Sequence, residues 1–226
     1  MELVKNGELQ FPVYHQTSSI FLSSIQENGF CGINVIEKYG VFDSLNKIIS
    51  YAKEHNIDIP FDLSYMVKQE AKNGFNFRHG GGYVTPSKTS AIRYATSNKF
   101  GSELISHTLG FADTLKNMGH NIDLLLSLEL LDIMKLQPFP ILLKITHLPV
   151  NVLQGENKEH VDKVLSHIRE FAGEPGSNLF EVLTQQLNFE IIKKLSIDKI
   201  EIYKIIFSKT GSQIFPEYEL IELKRA

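Results

Sequence analysis

The chain has 226 residues, a formal net charge of −3, 42% hydrophobic residues and 22% charged residues. This length suits one domain with a full core, and the composition is typical of a soluble globular protein. The charge gives no electrostatic case for non-specific nucleic-acid binding, and the single cysteine, Cys31, excludes an internal disulfide framework and a cysteine-rich zinc site. No shift in composition marks a boundary, so the sequence predicts one domain over residues 1–226.

One long apolar run lies at residues 122–134. Asp123, Glu129 and Asp132 interrupt it, so it is too short and too charged to span a bilayer. Residues 1–6 carry no apolar signal segment. The sequence therefore predicts a cytoplasmic protein with no membrane partner, and a secreted effector that acts in a host cytosol stays open.

The first predicted elements are a short strand and a helix. Residues 11–15 have strand character and end at His15, and the polar residues 16–19 form a turn that can cap a helix. Apolar residues then recur at helical spacing over residues 20–28, and Gly29 is a natural residue to follow a helix.

The middle of the chain holds a second strand and helix. Three glycines at residues 80–82 precede an extended segment at Tyr83, and Pro86 ends it. Ser87 or Thr89 can cap a helix that carries Tyr94. This strand, turn and helix can bring the Tyr83 and Tyr94 rings together around a flat ligand.

The remaining elements mix helices with a late group of strands. Helices are predicted at residues 44–56, 100–121, 161–171 and 179–187, at a short segment within 57–72, and from residue 121 or 123 to 134. Strands are predicted at residues 140–145, 200–207 and 214–223. The predicted fold class is α+β, with a strongly bent or split antiparallel sheet.

Three segments, in this order, resemble the ADP-ribosyltransferases of the His-Tyr-Glu group, which includes the diphtheria-toxin-like and poly(ADP-ribose) polymerase-like (PARP-like) catalytic domains. The segment from Tyr14-His15-Gln16-Thr17-Ser18 to Gly29-Phe30 resembles the family's His-Gly-Ser/Thr strand and the helix that ends in Gly-Leu. Gly82-Tyr83-Val84, followed by Ser90-Ala91-Ile92-Arg93-Tyr94, resembles its Gly-x-Tyr-Phe and Ser-Ala-x-Tyr stretches. Pro216-Glu217-Tyr218-Glu219-Leu220 resembles its Asn-Glu-Tyr-hydrophobic strand.

The resemblance implies an ADP-ribosyltransferase-like split antiparallel β-sandwich with flanking helices, and NAD+ as a substrate. Tyr83 and Tyr94 would sandwich the nicotinamide ring by stacking and cation–π attraction, about 0.5–2 kcal/mol per ring. Ser90 would hydrogen-bond the carboxamide, and His15 a hydroxyl of the adenosine ribose. Glu217 would bind the 2′-hydroxyl of the nicotinamide ribose and favour the oxocarbenium-like charge of the transition state. The implied catalytic residues are Glu217, His15 and Tyr83.

The implied NAD-binding residues also include Gln16 and Thr17, and here the sequence departs from the family. Gln16 stands where the family usually has glycine, whose backbone holds the carboxamide. Val84 replaces the family's phenylalanine. Glu219 shares a strand face with Glu217 and is the alternative catalytic carboxylate, because side chains of a strand alternate with period two.

The function implied is a transferase (a glycosyltransferase) that releases nicotinamide and attaches ADP-ribose to an acceptor, a protein in preference to a nucleic acid. An NAD glycohydrolase toxin and a catalytically inert module that binds NAD or a partner are the alternatives. Arg78 and Arg93 can meet the pyrophosphate. The His79–Gly82 segment lacks the Gly-x-Ser-x-Gly partner of a lipase, and no His-Glu-x-x-His spacing occurs, so no metal site is predicted.

Overall fold

The computed structural model describes residues 2–69, 71–72, 75–76, 80–213 and 216–224, with the backbone alone at 71–72 and 75–76. The strands are β1 (Val4–Lys5), β2 (Glu8–Leu9), β3 (Val13–Ser18), β4 (Ala71–Lys72), β5 (Phe75–Asn76), β6 (Gly82–Val84), β7 (Pro140–Ile145), β8 (Leu153–Gly155), β9 (Phe189–Ile191), β10 (Ile200–Phe207) and β11 (Tyr218–Glu222). The helices are α1 (Leu22–Asn28), α2 (Val35–Lys38), α3 (Val41–Glu54), α4 (Phe61–Met66), α5 (Lys88–Ser97), α6 (Glu103–Asn117), α7 (Leu128–Lys135), α8 (Val161–Phe171) and α9 (Asn178–Leu183).

The chain forms an α+β structure with several open antiparallel sheets, which confirms the predicted fold class at this level. It divides into two compact units. The first unit comprises Met1–Gly32, Gly81–Gly101 and Phe139–Ala226, and the second comprises Ile33–Gly80 and Ser102–Pro138. The predicted single domain over residues 1–226 stays a prediction.

A four-stranded antiparallel sheet, in the order β11-β10-β7-β3, forms the centre of the first unit. One face of it packs against α5 through a cluster of Ala91, Ile92, Ala95, Leu142 and Ile205. Because opposite residues of paired strands share a face, the register of β3 and β7 places His15 with Leu143 on the other face of the sheet. The cluster therefore fixes α5 on one side of β3 and leaves His15 on the other.

A three-stranded antiparallel sheet, in the order β6-β9-β8, lies beside this one in the same unit. The two sheets meet where Tyr14 of β3 and Thr85, just after β6, exchange backbone hydrogen bonds of 2.8 and 2.9 Å. In β8 and β9 the outer residues of each three-residue strand are buried and the middle residue is partly exposed. This alternation gives the small sheet one apolar face and one polar face.

The second unit is mostly helical. Its core is formed by the apolar sides of α3, α4, α6 and α7. The buried residues are Leu45, Ile48, Leu63, Met66, Leu104, Ile105, Leu109, Leu115 and Leu130. Ser127 links two of these helices, because its N–H donates to Ser44 Oγ at 3.0 Å while its hydroxyl donates to Tyr39 O at 2.7 Å and caps α7. Among the described residues, none of the helices combines the length and the hydropathy that a membrane span requires.

Several predicted bounds are wrong. The first strand does not end at His15, because Gln16, Thr17 and Ser18 continue the pairing with β7. The helix expected from residue 121 or 123 begins only at Leu128, after the Ser127 cap. The last strand begins at Tyr218, and residues 214–215 of the predicted strand lie outside the described residues. The sequence also failed to predict β8 and β9.

Candidate functional site

His15 lies within β3, an edge strand of the four-stranded sheet, and its ring contacts the backbone next to it in β6. Its Nδ1 is 2.6 Å from the carbonyl oxygen of Tyr83. Because a carbonyl can only accept, Nδ1 carries the proton and Nε2 keeps its lone pair in the neutral ring. The ring of Phe30 packs against the imidazole with centroids 4.6 Å apart. Burial lowers the pKa of His15 to about 4, so the ring is neutral at physiological pH and its Nε2 can accept a hydrogen bond from a hydroxyl.

A carboxylate stands in the polar face of the three-stranded sheet. Glu190 of β9 is directly opposite Tyr83 of β6 on one side and Gln154 of β8 on the other. Gln154 Nε2 donates to Glu190 Oε2 at 2.6 Å. The three side chains therefore form one row, Tyr83–Glu190–Gln154, across the sheet.

Two glycines make close approaches at the start of β6. A Cβ on Gly81 would lie 2.9 Å from Glu190 Oε1 and 3.2 Å from Cε2 of Tyr83. A Cβ on Gly82 would lie 2.0 Å from Cys31 Sγ, on the other side of the strand. Burial raises the pKa of the Cys31 thiol to about 12, with a further contribution from the Glu190 carboxylate. Gly81 has no room for a side chain because the Tyr83 ring and the Glu190 carboxylate occupy that space, and at Gly82 the Cys31 thiol occupies it.

Gln16 offers its backbone on the side of β3 that faces β6. In an antiparallel ladder the N–H and C=O of alternate residues point to the same neighbour, and Tyr14 uses both of its groups toward Thr85. Two residues on, the backbone groups of Gln16 point the same way. The side chain is 3% exposed and lies on the opposite face of β3 from His15. Its φ is not positive, so β3 accepts a side chain where the family has glycine.

The other predicted binding residues are placed as follows. Thr17 shares the face of His15 and is buried. Ser90 Oγ donates to the carbonyl of Gln185 at 2.9 Å, and Tyr94, one helical turn later, is 40% exposed. Because Gln185 belongs to the loop that leads into β9, the Ser90 side of α5 is joined to the strand that carries Glu190.

Glu217 and Glu219 lie away from this group. β11 and β3 are the two edges of the four-stranded sheet, three strand spacings or about 14 Å apart. His15 pairs with Leu143, which pairs with Ile202 of β10. The backbone of Glu217 is hydrogen-bonded to Ser208, about 20 Å further along the chain from Ile202. Glu217 Oε2 instead accepts from Thr210 Oγ1 at 2.7 Å. The structure thus brings the His15 ring to the backbone of Tyr83, but it does not bring Glu217 or Glu219 to either residue.

Of the two arginines predicted for the pyrophosphate, the structure describes Arg93. Arg93 Nη1 donates to Gln185 Oε1 at 3.1 Å, beside Ser90. Arg78 and His79 lie outside the described residues. Within the described part of the chain, no three His, Cys, Asp or Glu side chains lie close enough together to hold a metal ion.

Comparisons with known proteins leave the family open. No family model, no curated protein and no solved structure matches this chain.

The arrangement places an aromatic ring and a carboxylate in one row of the small sheet, and a neutral imidazole is hydrogen-bonded to the backbone of that tyrosine from the Phe30 side of the strand. The aromatic face can stack on a flat cation, and a fixed carboxylate can stabilise positive charge that develops nearby. Glu190 was missed in the sequence because its strand has only three residues. The signal for it was the alternation of apolar Phe189, polar Glu190 and apolar Ile191.

Proposed function

We propose that this protein is an NAD+ ADP-ribosyltransferase with the split antiparallel β-sandwich of that family, and that Glu190 is its catalytic carboxylate. The observation that carries this proposal is the row Tyr83–Glu190–Gln154, whose tyrosine backbone is hydrogen-bonded to His15. The resemblance calls for a histidine, a tyrosine and a glutamate in one site. Glu190 supplies a glutamate directly opposite the tyrosine.

The nicotinamide end of NAD+ would bind between β3 and β6. Its carboxamide needs one donor and one acceptor, and the N–H and C=O of Gln16 point into this side of β3. The Tyr83 ring would stack on the cationic pyridinium, worth about 0.5–2 kcal/mol. Tyr94 and Ser90, on the side of α5 that is joined to the β9 loop, would complete the pocket.

His15 would bind the adenosine ribose. Its Nδ1 is already committed to the Tyr83 carbonyl, so only Nε2 can meet a ligand, and it accepts from a ribose hydroxyl. The Phe30 ring holds the imidazole in this orientation. Binding through a neutral histidine needs no proton release above about pH 5, because the pKa of His15 is about 4.

The reaction breaks the bond between the pyridinium nitrogen and C1′ of the ribose. The bonding electrons stay with nitrogen, so nicotinamide leaves as a neutral molecule and positive charge develops on the ribose. Glu190 stabilises this charge and accepts a hydrogen bond from the 2′-hydroxyl. The acceptor nucleophile then bonds to C1′, and its proton passes to Glu190 or to solvent.

The acceptor is a macromolecule in this proposal, and a net charge of −3 favours a protein over a nucleic acid. Because the reaction consumes NAD+, we place it in a cytosol, that of the producing cell or of a host. No described contact favours water over a macromolecule as the acceptor, so hydrolysis is treated as an outcome of the test.

The test uses NAD+ with separate labels on nicotinamide and adenosine, incubated with the purified protein in the presence and absence of cell lysate. We expect nicotinamide release and adenosine label on protein. Release with free ADP-ribose alone would identify a glycohydrolase. No release under either condition would contradict the proposed function and leave a binding module of the same fold.

A further inference from the structure

We propose that Gln154 is a positioning residue that holds the Glu190 carboxylate in its reactive orientation. This inference rests on the proposed function of Glu190. Gln154 belongs to a strand that no sequence pattern identified, and it lies on the far side of Glu190 from Tyr83. Glu190 therefore lies between Gln154 and the proposed ligand, and Gln154 acts only through Glu190.

The contact between the two side chains is short and one-directional. Gln154 Nε2 is 2.6 Å from Glu190 Oε2. An ionised carboxylate can only accept, so the amide nitrogen must be the donor and the amide orientation is fixed. Hydrogen bonds to charged groups are the stronger class, and this one is made between direct cross-strand neighbours.

The strand that carries Gln154 is held at both ends. Just before β8, Val152 O accepts from Ile192 N at 2.8 Å, and at its end Gly155 N donates to Glu159 O at 2.8 Å. Leu153 is 4% exposed, and a Cβ on Gly155 would lie 3.0 Å from the Cβ of Glu159. The backbone of Gln154 therefore has little room to move, and its amide is a fixed reference point for Glu190.

The two oxygens of the Glu190 carboxylate therefore have different surroundings. Oε2 is engaged by Gln154, while Oε1 lies at the Gly81 side, within 2.9 Å of where a Cβ on that glycine would be. The Tyr83 ring occupies the same place. Oε1 is thus the oxygen presented beside the aromatic ring, and a carboxylate held in one rotamer needs no reorganisation as the ribosyl charge develops.

The experiment compares nicotinamide release by the wild type, Gln154→Leu and Gln154→Glu. Leucine keeps most of the volume without a donor, and glutamate keeps the shape but replaces the donor with a second carboxylate. We expect kcat to fall about 10- to 100-fold in both variants, with the KM for NAD+ within about twofold of the wild type, because the lost interaction orients the reacting group and not the ligand. Gln10→Leu, an exposed glutamine of the same unit, is the matched control.

A second readout does not depend on turnover. A charge-assisted hydrogen bond shifts an amide proton downfield, so one side-chain amide resonance of Gln154 should stand apart in the 1H–15N spectrum and return to the ordinary region in Glu190→Leu. A thermal unfolding curve of Gln154→Glu checks that the variant folds.

The outcomes separate the two proposals. If the wild type is active and the Gln154 variants are fully active, the positioning role is overturned and the proposed function stays intact. The same holds if the Gln154 amide resonance does not change in Glu190→Leu. A rise in KM without loss of kcat also overturns the positioning role. A wild type that releases no nicotinamide fails the proposed function, and the catalytic role of Gln154 fails with it.

Discussion

At the scale of single residues, the proposed site includes an imidazole whose surroundings keep it neutral. His15 is enclosed by the Phe30 ring and bonded to the Tyr83 carbonyl, and burial dominates its electrostatics. A depressed pKa for a histidine means that the unfolded chain binds a proton more readily than the folded one. This has a measurable effect on the free energy of unfolding.

We predict that His15 makes the protein less stable as the pH falls from about 6.5 to about 4. In this window the unfolded histidine is protonated and the folded one is not, so the free energy of unfolding decreases toward acid, by up to about 3 kcal/mol over the window. Urea unfolding across this range should show a flatter pH dependence for His15→Gln than for the wild type. His167→Gln, at an exposed position of α8, is the control. Parallel curves for His15→Gln and the wild type would contradict the burial of this imidazole.

At the scale of elements, β6 is shaped by what lies against its glycines. Gly82 faces Cys31 so closely that a Cβ would sit 2.0 Å from Sγ. Such a contact cannot be made without a shift of the backbone or of the thiol. Cys31 itself has a φ of 60°, so its position is fixed by an uncommon backbone conformation.

We predict that Gly82→Ala lowers the free energy of unfolding by about 1–3 kcal/mol, the usual range for overpacking. The same substitution should be less destabilising in a Cys31→Ala background, because the sulfur that it meets is gone. Urea unfolding of the four proteins in this cycle measures the difference. An equal loss in both backgrounds would show that the thiol does not limit the space beside β6.

The start of α5 is held by two residues. Ser87 Oγ accepts from Ser90 N at 3.2 Å and donates to Glu181 Oε2 at 3.0 Å. The Glu181 carboxylate also accepts from the N–H groups of Lys88 and Thr89 at 3.3 and 3.2 Å. A carboxylate at a helix N-terminus accepts hydrogen bonds from N–H groups that have no partner within the helix, and it also interacts favourably with the positive end of the helix dipole.

We predict that Glu181→Ala lowers the free energy of unfolding by about 1–2 kcal/mol, and that the loss is smaller at high salt. Chemical denaturation at low and high ionic strength measures both effects. Glu170→Ala, at an exposed position of α8, should change stability by less than about 0.5 kcal/mol. If Glu181→Ala proves no more destabilising than this control, the carboxylate does not support α5.

At the scale of the whole molecule, long periodic segments could be predicted from the sequence and short paired strands could not. The buried stripe of α3, with Leu45, Ile48, Ile49 and Ala52, was visible at helical spacing. Pro140–Ile145 was visible as a continuous apolar run. Such patterns follow from burial of one face or of the whole strand, which is a local property.

The polar part of β3 and the strands β8 and β9 depend on pairing with distant residues. Gln16, Thr17 and Ser18 have the composition of a turn, yet β7 extends them into a strand. Gln154 and Glu190 can be recognised as neighbours of Tyr83 only when the strand register is known. His15 and Tyr83 could be singled out from sequence motifs, but pairing Glu190 with Tyr83 required the register of the small sheet.

The two compact units could not be predicted for a related reason. The second unit is assembled from two separate stretches of chain, and a segment of the first unit runs between them. Composition does not change at these crossings, since each stretch contributes its own buried apolar residues. A boundary that depends on tertiary contacts leaves no mark in the local sequence.

Nicotinamide release by three glutamine variants decides whether Glu190 is the catalytic carboxylate, as we propose. Each substitution keeps the shape of the side chain and removes its charge. For Glu190→Gln we expect kcat to fall on the order of 100- to 1000-fold, whereas Glu217→Gln and Glu219→Gln should stay within about twofold of the wild type. Loss of release in Glu217→Gln or Glu219→Gln, with Glu190→Gln fully active, would contradict the assignment and move the active carboxylate to β11 or the residue before it.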